Sequence, residues 1–66
     1  MLLYQRLRQF IGSQVEVMTA AGLTTGRLLS AGPATIVVQV SVTPGYPPAT
    51  VTIHNFAIGF IRIIVA

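Results

Sequence analysis

The sequence has no cysteine, no lysine, no aspartate and no tryptophan, and it holds one glutamate, Glu16, and one histidine, His54. Each absence removes a class of chemistry. Without cysteine there is neither a disulfide framework nor a thiolate zinc site. Without lysine there is no phosphate-binding loop of the Gly-rich, Lys-terminated kind. Without aspartate, Ser13, Ser30 and Ser41 have no Ser-His-Asp set to join. One His and one Glu also fall short of the ligands of a metal centre. The expectation is a chain that is not an enzyme, with no catalytic residue, metal, cofactor or small-molecule substrate. Long apolar runs are missing as well. Ile63–Ala66 is far shorter than the ~18–20 residues a membrane-spanning helix needs, so no transmembrane segment is expected. Gln5, Arg6, Arg8 and Gln9 interrupt the start of the chain, so no signal peptide is read there.

What is present is apolar. Hydrophobic residues make up 53% of the 66 residues and charged ones 8%, against ~25% charged in an ordinary soluble domain. That balance excludes a disordered tail, which needs low hydrophobicity and high charge. The length allows one domain, residues 1–66. Below ~70–80 residues a single core rarely supplies more than ~3–5 kcal/mol, and a staple is usually required. With disulfides and metals excluded, oligomerisation is the staple left. A net charge of +3 from Arg6, Arg8, Arg27 and Arg62 against Glu16 is thin for a phosphate-binding surface on one chain. Repeated around a ring it would be denser.

The periodicity changes once. Leu3, Leu7, Phe10 and Ile11 fall on one helical face, which predicts a short helix over 2–11 closed by Gly12. From residue 13 the period is two. Eight Val, seven Ile and seven Thr are the composition of a pleated structure. Strands are expected at 14–19, 23–30, 35–42, 50–54 and 58–65. Turns fall at 20–22, 31–34 and 55–57, and the Pro-rich segment 43–49 is a loop. Gly26, inside the second strand, marks a bend or a close backbone approach. Five short bent antiparallel strands close most naturally into a small barrel over 14–65. The fold class expected is therefore mainly β, one short helix and a five-stranded sheet. Met18, Leu29, Val37 and Ile64 lie on strand faces opposite the core side; some are expected under the N-terminal helix and others are left for neighbours.

Leu7, Phe10, Ile11, Gly12, Val15 and Val17, followed by Gly22, Gly26 and Leu28, resemble the first half of the Sm-like (LSm and Hfq) domain. Ile53-His54-Asn55, with Ile58 and Ile61, resembles its second half. A narrower resemblance is to small Sm-like proteins of spore-forming Firmicutes, carried by Thr19, Ile36-Val37 and Ile53-His54 with Ile58 and Ile61. The resemblance implies an Sm-like small barrel that assembles into a ring. In such rings the fourth strand of one copy pairs with the fifth of the next. The subunit interface would then involve Thr50, Val51, Thr52 and Ile53 against Ile58, Phe60, Ile61, Arg62 and Ile63. Tyr46, in the Pro-rich loop, is read either as stiffening the hairpin connection, as a contact point for stacked subunits, or as an aromatic platform for a base. The partner expected is the chain itself, in a ring or in stacked tubes or fibres. The location expected is cytoplasmic or spore-associated.

The resemblance also offers an RNA-binding ring as the alternative, with His54, Asn55, Arg6, Arg8 and Arg27 as the contacting residues. Here the chain departs from the family. Relatives that read uridine-rich RNA place an Asp and a Met-Asn or similar pair where this chain has Gly32, Thr35 and Ile36. Their Arg-Gly is His54-Asn55. Most base-reading side chains are therefore absent. The lone acid, Glu16, is expected to pair across the sheet or between subunits, with Arg27 or Arg62.

Overall fold

A computed structural model describes the backbone of residues 3–40 and 44–64. A short helix α1 (Leu3–Leu7) runs into a single 3-10 turn (Arg8–Phe10). Five strands follow: β1 (Gln14–Thr19), β2 (Gly22–Ala31), β3 (Thr35–Val40), β4 (Ala49–His54) and β5 (Ile58–Ile63). A second 3-10 turn, Asn55–Ala57, joins β4 to β5. All described pairings are antiparallel, and the strand order is β4-β3-β2-β1-β5.

The sheet is open. Among the described residues β4 and β5 are its two edges and do not pair with each other. No closed barrel is therefore shown over the 14–65 expected. The third strand ends at Val40, where the period predicts an extension to residue 42 that lies outside the described residues. The last strand ends at Ile63, and residue 65 also lies outside them.

β2 organises the sheet. Its first half, Gly22 to Arg27, pairs with β1. From Arg27 to Ala31 it pairs with β3. Within β2, Arg27 is the residue with a strand partner on both sides, Gln14 and Gln39. Gly26 stands next to this change of partner because no side chain fits there. A Cβ at Gly26 would collide with the Gln39 carbonyl oxygen and crowd Val38. The expected close approach is present, and only glycine permits it.

The core lies on one sheet face. Val15, Val17, Leu28, Ile36 and Val38 are fully buried, and Leu7, Ala31 and Ile53 nearly so. Tyr4, Phe10, Val40, Val51, Ile58, Ile61 and Ile63 pack around them. Two bulges break the period of two. Leu28 opposes Val38 and Ser30 opposes Val37, which leaves Leu29 as the extra residue. That lets Leu28 and Ala31, three apart, both point inward while Leu29 is exposed. Met18 opposes Phe60 and Thr19 opposes Ile58, leaving Gly59 extra. This brings Ile58 onto the core together with Ile61 and Ile63. A bulge inserts one residue on one strand and so shifts side-chain parity.

The helix expected over 2–11 ends early, at Leu7, and residue 2 lies outside the described residues. It tightens into 3-10 geometry at Arg8, which has three residues per turn rather than 3.6. Leu7 and Phe10 stay on the core side, while Ile11 rotates off the stripe and is 48% exposed. Gly12 then turns the chain at φ +95°. The Gly12 amide donates to the Leu28 carbonyl (2.8 Å), and the Leu28 amide donates to the Ser13 carbonyl (3.0 Å). The helical segment is thus stitched to β2. Arg8 Nε donates to the Ala31 carbonyl at 3.0 Å and the guanidinium lies over the Tyr4 ring, 5.3 Å from its centre.

Candidate functional site: two strand edges and the turn that joins them

β4 and β5 follow one another in sequence but lie at opposite ends of the strand order. Each is six residues long. Together they contain one charged side chain, Arg62, and one imidazole, His54. Of the residues expected at a subunit interface, Thr50, Thr52, Phe60 and Arg62 are exposed. Val51, Ile58, Ile61 and Ile63 are half-buried against the core. Ile53 is different. It is 7% exposed and belongs to the core, so its side chain does not face a neighbour. Tyr46 is 73% exposed in the loop where Gly45 takes φ +89°.

Arg62 Nε meets Glu16 Oε1 at 3.0 Å. The register puts these residues directly opposite on β5 and β1. Of the two arginines considered for the lone acid, the chain uses Arg62. The pair is mostly solvent-facing on the arginine side, so it is worth at most about 1 kcal/mol. Its larger effect is to neutralise the one charge on the β5 edge.

The turn Asn55–Ala57 is the second feature. The Asn55 backbone amide donates to the Ala34 carbonyl at 2.9 Å. Its side-chain Nδ2 donates to the Gly32 carbonyl at 2.8 Å. Asn55 thereby ties the β4–β5 turn to the β2–β3 turn, and its Oδ1 is buried without a hydrogen-bond partner. Arg8 Nε is bonded to the carbonyl of Ala31, the last residue of β2, next to that turn. So Asn55 bonds the β2–β3 turn itself, Arg8 is held at its β2 end through Ala31, and His54 stands opposite Thr35 at its β3 end. Arg6 is exposed on α1 and Arg27 is exposed on β2; no described hydrogen bond links either to that turn.

Phe56, in the same 3-10 turn, is 89% exposed. Its ring stacks on His54, with centres 5.3 Å apart and planes at 26°. Sequence periodicity passes over Phe56, because a three-residue turn has no period. The available signal was composition, since a large aromatic in so short a turn has little to pack on. Beside this pair lies a mostly apolar depression of about 280 Å³, between the β1–β2 turn and β4, lined among others by Thr19, Thr24, Val51, Ile53, His54 and Ala57.

Among the described residues no three His, Cys, Asp or Glu side chains come together as metal ligands. No described helix is long and apolar enough to cross a membrane. Comparison with known proteins returns no match to a protein-family model, a curated protein or a solved structure.

Proposed function

We propose that the chain is an Sm-like structural protein that assembles with copies of itself, β4 of one copy pairing with β5 of the next. The observation that carries this reading is the pair of open edges. Unpaired backbone N–H and C=O groups on both ends of a sheet recruit further strands, and natural monomers blunt such edges with charge, proline or bulges. β4 carries no formal charge and no proline within its range. β5 carries a bulge at Gly59, but only at its start, and its single cation is already paired to Glu16. Two different open edges on one chain make a head-to-tail contact. It closes into a ring if the rotation closes and runs on as a filament or tube if it does not. Closure of a barrel would then be completed between copies. The likeness to Sm-like proteins of spore formers supports a place in a spore or surface layer, and a binding and structural role rather than a catalytic one.

Size-exclusion chromatography with light scattering, joined to negative-stain microscopy, tests the assembly. The expected result is a homo-oligomer seen as rings, tubes or fibres. A soluble monomer at micromolar concentration overturns it.

The alternative is an Sm-like RNA-binding ring. The placement of Arg8 and His54 at the two ends of the turn that Asn55 bonds favours it, together with the unpartnered Asn55 Oδ1 and the exposed His54–Phe56 stack. Aromatic faces stack bases without sequence preference. Gel-shift with uridine-rich and adenine-rich oligonucleotides decides it: binding that weakens steeply with salt supports it, and no shift at low salt removes it.

A further inference from the structure

We propose that the outer face of β1, β2 and β3 carries an oxyanion site, centred on Arg27, that takes a phosphate group. The sheet register sets Gln14, Arg27 and Gln39 side by side across three strands. These residues line an open hollow of about 550 Å³, with Thr25, Gly26 and Pro48 completing the wall. No acidic side chain lines it.

The other arginines are committed or elsewhere. Arg62 is paired with Glu16. Arg8 is held by the Ala31 carbonyl and the Tyr4 ring. Arg6 is on α1, away from the hollow. Arg27 has no ion-pair partner among the described residues. Glu16, the only acid, lies opposite Thr25 on the same outer face, and Arg62 occupies it. The cation in the hollow is therefore free to meet an external anion.

The donor set favours phosphate over carboxylate. A guanidinium fork satisfies two oxygens. Each flanking carboxamide adds N–H donors, and Thr25 adds a hydroxyl. A carboxylate has about four lone-pair sites on two oxygens, so a bidentate guanidinium leaves it only about two for the flanking donors. A phosphate has further oxygens for them. The hollow is also larger than a lone phosphate, which leaves room for the group that bears it. The three central side chains sit on β1, β2 and β3, with Gln39 opposite Thr50 of β4 and the Gln14 carbonyl accepting from the Ile64 amide, so the site lies on the sheet face between the two edges.

The test is titration of the ¹⁵N-labelled protein with inorganic phosphate and with acetate at constant ionic strength, read by NMR and calorimetry. The proposal expects saturable movement of the Arg27 Nε–Hε and the Gln14 and Gln39 carboxamide signals with phosphate, and weaker binding of acetate. Arg27→Gln should lower phosphate affinity at least about tenfold, the usual loss for a charge-assisted bond. Gln14→Glu keeps Arg27 and supplies a competing carboxylate, and should weaken binding similarly; it guards against a fold defect in the first variant. No saturable shift overturns the proposal. So does binding that survives either substitution, shifts centred on Arg6 or Arg8, or acetate binding as tight as phosphate. Two further probes separate the sources of the group. Binding of a nucleoside monophosphate without an oligonucleotide supports a small phosphorylated ligand. Binding of a short single-stranded oligonucleotide through the same signals supports a phosphodiester chain.

Discussion

At Gly26 one hydrogen atom in place of a methyl group lets β2 pass close to β3. A Cβ there has no flexible side-chain end to push against, since it meets the Gln39 backbone oxygen. Gly26→Ala should therefore destabilise the fold by roughly 1–3 kcal/mol or more, the range for overpacking, read by urea unfolding. The opposite behaviour is expected at Phe56. Its ring is 89% exposed, so Phe56→Ala should leave the unfolding of a single chain within about 0.5 kcal/mol. If the ring is a contact between copies, the same change should weaken assembly, measured by light scattering on dilution. The two positions also show what a sequence yields. A glycine inside a run of β-branched residues announces a close approach, and Glu16 as the lone acid announces a pair with an arginine. Asn55 announces nothing. Its bonds to Gly32 and Ala34 depend on two turns meeting across the sheet, and no local pattern encodes that meeting.

At the scale of elements, periodicity locates the strands and fails where geometry changes within one. β1 runs over Gln14–Thr19 as the alternation of Val15 and Val17 predicts. In β2 and β5 the bulges at Leu29 and Gly59 reverse the parity partway along. A period of two read through those points assigns the wrong face to later residues. The helix errs for a related reason, since a period of 3.6 carried past Arg8 ignores the tightening to three residues per turn. The docked part of that segment rests on Leu7, which is 5% exposed. Leu7→Ala should cost about 2–5 kcal/mol, read by thermal or urea unfolding. A neutral result would mean that the segment contributes little to holding the sheet. Gly12 stands at φ +95° with open space around its Cα. Gly12→Ala should therefore cost about 1 kcal/mol from backbone strain alone.

At the scale of the whole molecule, the apolar excess has a location. The described core is eight buried side chains, while Leu23, Phe56 and Phe60 stay exposed alongside two unpaired strand edges. A single chain of this size leaves that surface in water, and association would cover it. Thr50 and Thr52 are exposed on β4, so lysines at both positions should spare the monomer fold. In an assembly they would face the β5 edge that bears Arg62, and like charges opposed across strands are destabilising. The doubly substituted chain should shift toward smaller species. The openness of the sheet is the part of the fold that sequence could not supply. Five bent strands suggest closure, yet whether β4 meets β5 of its own chain or of another depends on twist and interface angle, which no residue pattern states. The measurement that bears most directly on this account is the molar mass of the purified chain in solution at micromolar concentration. The account predicts a multiple of the 7.0 kDa chain mass that falls when Thr50 and Thr52 are replaced by lysine. A mass of one chain, unchanged by those substitutions, would contradict it.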